Sequence, residues 1–435
     1  MTMRRIKTTF FRLIKLIYRR VFHEEMTEDV EAFLKNLFII AVGMAISTMF
    51  STVFTIMGGR ILGPEEYGKF ALVQTIGNFL YISMLLGFST ALIKYTSEKP
   101  DADRQSRIIS TTFILVLLCS LASVIIYIIF RSQLARVFSV SPNVYFISII
   151  FTVFFVLFTV TTSILRGLDK TRAYSFSQVL YGAVLLISFL AFILNRSISF
   201  KSMIYPMILG YGTSSLAILI FSIRKTIKWK FDRFWAKILS KYAAFSLIGA
   251  LSFVFYNNFG KIMISRDLNI TDLGIYNAYF SASVNLMGIF SGMFYIVFFP
   301  TVSKYENKGI IFKRINKFIP YLVCLGIPLI FIFEFIVLKL YGNEYPLNAV
   351  WMILFPIASV CIVIDGLYGW LLNSVGSRGA KIVSFAAVIL VFVNVGLNLI
   401  LIPRIGITGS LISMIISYTS SAAVILYFGK KYLST

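Results

Sequence analysis

The sequence of 435 residues is poor in charge, in histidine and in cysteine, and each shortage excludes a class of protein. Charged residues make up only 14% of it, against roughly 25% in soluble globular domains. One His and three Cys cannot form a His/Cys metal cluster or a His-based acid–base catalyst, so we expect no metal site. The sequence also lacks a phosphate-binding Gly-Lys loop, so we expect neither direct ATP hydrolysis nor a cofactor. We therefore expect a protein that is not an enzyme.

Hydrophobic residues are abundant instead: they form 58% of the chain, and the mean hydropathy is +0.86. They occur in blocks of about twenty, the length that crosses roughly 30 Å of hydrocarbon as a helix. The sequence predicts an all-α polytopic membrane protein with twelve transmembrane helices. The predicted spans are Leu37 to Met57, Phe70 to Ile93, Ile108 to Phe130, Val144 to Leu165, Phe176 to Leu194, Ser202 to Ile223, Tyr242 to Ile264, Ile275 to Phe299, Phe318 to Leu338, Val350 to Leu372, Ile382 to Ile402 and Ile407 to Phe428.

The net charge of +23 is explained by topology rather than by nucleic-acid binding. With twelve spans, 31 of the 41 Lys and Arg residues fall in the segments on the side of the termini, and ten fall on the other side. Because cytoplasmic loops carry the excess of basic residues, both termini are predicted to be cytoplasmic. The expected location is the cell membrane, and nucleic acid is not an expected partner.

The segments outside the spans define five regions. Residues 1–36 form a cytoplasmic segment in which apolar residues recur at helical spacing among seven basic ones, as in a helix that lies on an anionic membrane surface. The alternative is a basic tail that only sets topology. An N-terminal six-helix lobe at 37–223, a basic cytoplasmic linker at 224–241, a C-terminal lobe at 242–429 and a tail at 430–435 complete the prediction.

Two segments support an internal repeat. GRILGPEEYGKF (59–70) follows the first span, and SRDLNITDLGIY (265–276) follows the seventh. At an offset of 206 the identical pairs are Arg60 with Arg266, Leu62 with Leu268 and Gly68 with Gly274. Secondary transporters are typically built from such repeats, with the binding site between the two halves.

The motif that runs from Arg60 to Gly68, just after the first span of a twelve-span chain, resembles the polysaccharide (O-antigen-type) flippase family. That family belongs to the multidrug/oligosaccharidyl-lipid/polysaccharide (MOP) exporter superfamily. The loop with Arg166-Gly167 and the Leu401-Ile402-Pro403 segment also fit. The resemblance implies two six-helix lobes around a central cavity that opens alternately to each side. It also implies translocation of an oligosaccharide linked to an isoprenoid diphosphate, from the cytoplasmic to the outer leaflet.

Cations near the span ends are the first candidate site residues. Because a diphosphate cannot cross hydrocarbon unaided, a cavity that carries it needs cations. Amides supply partners for sugars, although they also hold helices together. The cavity candidates are Arg60, Lys69, Lys261, Arg266, Asn257, Asn258, Gln74, Asn78, Asn277 and Asn285, and the inner-gate candidates are Arg166, Arg172 and Arg378. The alternative is that the cations only set topology and lie at the interface.

Two acids lie within predicted spans, and buried acids in membranes are usually functional. Asp365 and Glu334 are candidates for coupling to an ion gradient. Asp365 could instead pack between helices, and Glu334 could extend to the outer interface.

Two rival functions remain at this point. A multidrug or organic-cation exporter of the same superfamily would favour a carboxylate in the first half, but spans one to six contain none. A membrane-embedded glycan polymerase would need a sizeable outer loop, and the longest outer gap is about a dozen residues. The expected partners are a lipid-linked oligosaccharide, a coupling ion and enzymes of glycan assembly.

Overall fold

The structure is a computed structural model that describes residues 28–98, 101–196, 198–292, 294 and 307–433. Within these ranges the regular structure is entirely helical, with no strand. The predicted surface helix at the N-terminus falls in residues 1–27, outside the described ranges.

The first half begins with a long kinked helix, and its last helix is continued by a π-helical turn. The helices of this half are α1 (Glu28–Leu85), α2 (Phe88–Ser97), α3 (Ala102–Ile129), α4 (Arg131–Val137), α5 (Pro142–Gly167), α6 (Thr171–Leu194) and α7 (Lys201–Ala217, continued by Ile218–Ile223).

The second half repeats this all-helical arrangement. Its helices are α8 (Arg233–Asp267), α9 (Ile270–Phe280, continued by Ser281–Asn285 and by 286–292), α10 (Lys308–Tyr321, continued by Leu322–Gly326), α11 (Ile327–Tyr341), α12 (Ala349–Asn373), α13 (Ser377–Ile405) and α14 (Ile407–Leu433).

Ten helices in the described ranges are long and apolar enough to cross a membrane, which confirms the multi-pass membrane protein. Nine of them each match one predicted span. The tenth, Phe38–Leu85, contains nearly all of the first predicted span and the first part of the second, which continues on α2. The eighth predicted span begins on α9 and continues into residues that the structure does not describe.

Gly63 separates α1 into two helices, 28–62 and 64–85. Its φ of 74° and ψ of 170° lie in a region that side chains other than glycine rarely adopt, and Pro64 then starts the second helix. In the second half the equivalent position is Asn269, an extended residue whose side chain accepts the Asp272 N–H at 2.7 Å. Both halves thus stop one helix and start the next here, by glycine in one and by an Asn cap in the other.

Each lobe is held together mainly by the packing of its own membrane-spanning helices against one another. In the first lobe α1 packs on α5 and α6, and α6 packs on α7. In the second, α14 packs on α12 and α13, and α13 packs on α8. Large apolar side chains remain exposed on the outside, among them Leu194 and Phe221, as expected for surfaces that face lipid.

The predicted linker at 224–241 is shorter as a loop than expected, because α8 already begins at Arg233. Asp232 caps that helix by accepting the Phe234 and Trp235 N–H groups. The loop itself is bonded to the start of α3: the Ser106 hydroxyl donates to Thr226 O at 2.7 Å, and the Lys228 N–H donates to Ser110 Oγ at 3.0 Å. The linker is therefore docked on the first lobe.

Candidate functional site

The two repeat segments touch each other across the lobes, at what we call the motif end of the molecule (residues 59–70 and 265–276). A Cβ on Gly68 would lie 1.9 Å from Ile270 O, and a Cβ on Gly274 would lie 1.9 Å from Pro64 O. No side chain fits at either position. The paired glycines let helices of the two lobes approach backbone to backbone, as small residues do in membrane proteins.

Three tyrosines close the motif end beside this contact. Tyr67, Tyr341 and Tyr345 are 0%, 1% and 2% exposed. The hydroxyls of Tyr67 and Tyr341 share a hydrogen bond of 3.1 Å, and the Tyr345 hydroxyl donates to Gly59 O at 2.8 Å. Because Tyr67 belongs to the first lobe and the other two to the second, this tyrosine cluster fastens the lobes together.

Asp272 lies in the second repeat segment, outside the predicted spans. Burial raises the pKa of its carboxyl group above the usual range, and the Asn269 amide, which donates to it at 2.8 Å, opposes that shift.

Polar contacts continue between the lobes where α8 runs along the second part of α1. The Asn78 amide donates to Asn258 Oδ1 at 3.1 Å. The Lys261 ammonium donates to Asn277 Oδ1 at 3.2 Å and lies 4.3 Å from the centre of the Phe280 ring. Four of the predicted cavity residues therefore form two hydrogen-bonded pairs: Asn78–Asn258 joins the lobes, and Lys261–Asn277 lies within the second lobe.

A cavity of about 370 Å³ lies between the lobes, with walls from α1, α6, α9 and α11. Hydroxyl groups from one face of α1 line it, together with two amides and several aromatic and aliphatic side chains. The lining residues are Met44, Ser47, Thr48, Ser51, Thr52, Thr55, Ile56, Gln178, Tyr181, Ser281, Ala282, Asn285, Leu286, Ile289, Phe333, Val337 and Tyr341. Tyr341 belongs to both the cavity wall and the tyrosine cluster, so the cluster borders the cavity at the motif end.

Of the predicted cavity residues, Asn285 alone lies in this wall. Lys69 pairs with Glu65 and Glu66 at 2.8 and 2.5 Å, and Arg266 pairs with Asp267 at 2.7 Å. Arg60 is exposed at the motif end and forms no ion pair with a described residue. Acids on the same helices thus neutralise two of the four predicted cations.

The remaining predicted amides have local partners. The Gln74 amide lies 3.3 Å from Met207 Sδ within the first lobe. The Asn257 amide donates to Phe253 O on its own helix at 3.0 Å, as Asn258 does to Val254 O, but only Asn258 also bonds to the first lobe.

The three predicted inner-gate arginines are exposed at the end opposite the motif end. Arg166 closes α5, Arg172 begins α6 and Arg378 begins α13. None of them forms an ion pair with a residue in the described ranges.

The two predicted coupling acids are both in the second lobe. Glu334 is 0% exposed rather than extended to the interface, and its carboxyl oxygens have no hydrogen-bond partner among the described residues. Asp365 is half-buried, and one of its oxygens is likewise without a described partner. In the described part of the chain no three His, Cys, Asp or Glu side chains come together as a metal site.

The sequence-based prediction missed the polar face of α1. Ser47, Ser51 and Thr55 recur every four residues, with Thr48 and Thr52 beside them, in an otherwise apolar span. This spacing places them on one helix face and was visible in the sequence. Gln178 and Tyr181 on α6 carried no comparable signal.

The family model described as "Polysaccharide biosynthesis protein" matches residues 33–306, more than half of the sequence. The chain belongs to this family. The match confirms the resemblance that the Arg60 to Gly68 motif indicated. A comparison with curated protein sequences returned no match.

Solved structures with the same fold are transporters of the MOP superfamily. The inward-facing conformation of a multidrug resistance MATE family transporter has a TM-score of 0.68 and 15% identity, and covers 89% of this chain and 94% of its own. The outward-facing conformation of such a transporter has a TM-score of 0.63 and 16% identity, and the match covers 94% of this chain and 99% of that transporter. A MOP superfamily transporter from Pyrococcus furiosus, whose binding pocket is described as having reverse polarity, has a TM-score of 0.65 and 16% identity. The match covers 94% of this chain and 99% of that transporter. The fold is therefore MATE-like, with two lobes.

Proposed function

We propose that this protein is a flippase for a lipid-linked oligosaccharide, moved from the cytoplasmic to the outer leaflet by alternating access. The observation that carries the proposal is the cavity between the lobes, whose wall combines hydroxyl, amide and aromatic side chains. Sugars present hydroxyl groups that both donate and accept hydrogen bonds, and Ser, Thr, Asn and Gln side chains match them. Membership of a polysaccharide biosynthesis family agrees with this choice of substrate.

The positions of the cations suggest where a diphosphate would bind. Lys261 lies three residues after Asn258, which bonds to the first lobe, and its partner Asn277 is one helical turn from the cavity residue Ser281. Lys261 has no carboxylate partner in the described ranges, so its charge is available to a phosphate. Arg60 at the motif end is a second candidate. It would bind the diphosphate after the diphosphate has reached the outer side of the membrane.

The motif end is closed in this conformation, and the charge distribution indicates which side of the membrane it faces. Since basic residues concentrate on the side of the termini, we place the termini in the cytoplasm and the tyrosine cluster at the outer side. In this orientation the cavity is closed toward the outside. Translocation then requires the Gly68–Gly274 contact and the tyrosine cluster to separate. Enzymes of glycan assembly would supply the substrate.

A multidrug exporter of the same superfamily is the alternative. An organic cation would need a carboxylate in the cavity, and neither Asp nor Glu lines the one that the structure describes. The neutral polar wall favours the oligosaccharide.

The test is translocation of an isoprenoid diphosphate oligosaccharide in proteoliposomes, with an organic cation assayed in parallel. We expect translocation of the lipid-linked oligosaccharide and no transport of the cation. Lys261→Ala and Arg60→Ala should each abolish translocation while the protein is still produced and inserted. Cation transport alone would reject the flippase, and normal rates in both variants would reject the role of the cations.

A further inference from the structure

The cavity wall, as far as the structure describes it, combines polar and apolar side chains and carries no charge. Its lining residues include Ser, Thr, Asn, Gln and Tyr, and none is Asp, Glu, Lys, Arg or His. We infer that the cavity binds uncharged sugar residues and excludes sugars that carry a carboxylate. This inference rests on the proposed function and states which class of oligosaccharide the protein moves.

Several polar groups in the wall are available to a ligand. Ser47 is only 7% exposed, yet its hydroxyl makes no hydrogen bond to a described residue. Gln178 is partly buried and Asn285 is exposed, and neither amide makes a hydrogen bond to a described residue. Thr55, by contrast, donates to carbonyls of its own helix at 2.9 and 3.0 Å. Hydroxyl and amide groups of a cavity wall that bond to no described residue can bond to the hydroxyl groups of a sugar.

One aromatic ring of the wall is held in a fixed orientation. Tyr181 stacks on Tyr211 with ring centres 4.7 Å apart and planes inclined by 7°. A ring held in this way offers a rigid surface for the C–H face of a sugar while the amides and hydroxyls bind its edge. The volume of about 370 Å³ is within the range of small-ligand cavities and accommodates sugar rings rather than a long chain.

Charge decides against an anionic sugar. A carboxylate in this cavity would exchange water for neutral dipoles without a counter-ion, which is costly in a membrane. The Lys261 ammonium does not line the cavity, and in the proposed function it binds the diphosphate rather than a sugar.

The experiment compares two substrates that differ by one group. Proteoliposomes receive the same isoprenoid diphosphate carrying either a trisaccharide of neutral hexoses or the same trisaccharide with one hexuronate. We expect the neutral substrate to be translocated at least about tenfold faster, given the cost of an unpaired buried charge. Equal rates would overturn the inference and leave the flippase intact. Failure to move either substrate would instead count against the proposed function.

Two variants of similar size and opposite charge sharpen the test. Gln178→Lys should raise the rate for the hexuronate substrate, and Gln178→Glu should lower it further. The control is Gln133→Lys, which makes the same change at an exposed position on α4, outside the cavity. It should leave the preference for the neutral substrate over the hexuronate substrate as in the wild type. Unchanged preference in Gln178→Lys would refute the inference. If both Gln178 variants are inactive on neutral substrate, the wild-type comparison still decides.

Discussion

At the scale of single residues, the contact between the lobes depends on two glycines. Gly68 and Gly274 occupy the same position in each repeat, and each lies against backbone of the opposite segment. A methyl group would need about 1.5 Å more room than either position offers, judged from ordinary carbon contacts. Packing this tight can form only where both helices lack a side chain, so these glycines control whether the motif end closes.

Gly68→Ala and Gly274→Ala should therefore hold the motif end open. Overpacking should cost the closed state about 1–3 kcal/mol. A cysteine placed at Ser281 in the cavity wall, in a protein free of other cysteines, should then react with an impermeant thiol reagent added on the motif side.

Gly249→Ala is the matched control, because a Cβ there meets nothing within 4 Å. It should leave the Ser281 cysteine as protected as in the parent protein. Protection that persists in the Gly68 and Gly274 variants would show that the glycine contact does not gate the cavity.

At the scale of elements, the linker between the lobes is hydrogen-bonded to the first lobe rather than free. Ser110 and Thr111 of α3 accept the N–H groups of Lys228 and Asp232 at 3.0 and 3.1 Å. The exposed side chains of Lys225 and Lys230 nonetheless leave sites for trypsin in this loop. Docking fixes the start of α8 relative to the first lobe, so α8 can serve as the hinge between the lobes.

Replacing Ser110 and Thr111 together by alanine should release the linker. The loss of two hydrogen bonds should destabilise the docked loop by about 1–3 kcal/mol, and trypsin should cut between residues 225 and 230 several-fold faster. Thr112→Ala is the control, because its hydroxyl donates to Ile108 O within α3 and does not contact the linker. Equal cleavage of the double variant and the control would show that these bonds do not hold the loop.

At the scale of the whole molecule, the acids and the cavity occupy different places. The cavity is shared by both lobes, whereas Glu334 and Asp365 are in the second lobe only. An ion that binds one of these acids would bias how the lobes pack without contacting a substrate in the cavity. Coupling would then act through the lobe interface, as in other two-state transporters.

Asp365→Asn and Glu334→Gln should accordingly separate gradient-driven transport from exchange. We expect the variant of a true coupling residue to lose accumulation driven by a proton or sodium gradient and to retain exchange of substrate at equal concentrations. Accumulation should be measured in proteoliposomes with each gradient in turn. Retention of gradient-driven accumulation by both variants would remove these acids from the coupling mechanism.

The cavity illustrates how far the sequence reaches at this scale. Asn285 was predicted from its type and span, and the α1 hydroxyls could have been found by their spacing. Hydroxyls in membrane helices often bond only to their own backbone, as Thr55 does, so spacing alone does not distinguish a binding face from a packing face. The ion pairs of Lys69 and Arg266 were not foreseen, although their acids lie within four residues.

The sequence by itself determined that this chain spans a membrane many times as helices, because apolar blocks of this length leave no other way to satisfy the backbone. It also determined the turn at Gly63-Pro64, the repeat at an offset of 206 and the family. Only the tertiary structure decided that Gly68 meets Gly274 and that α1 and α9 enclose a neutral cavity. Such contacts join residues some two hundred positions apart, and local periodicity carries no information about which faces of distant helices pack together.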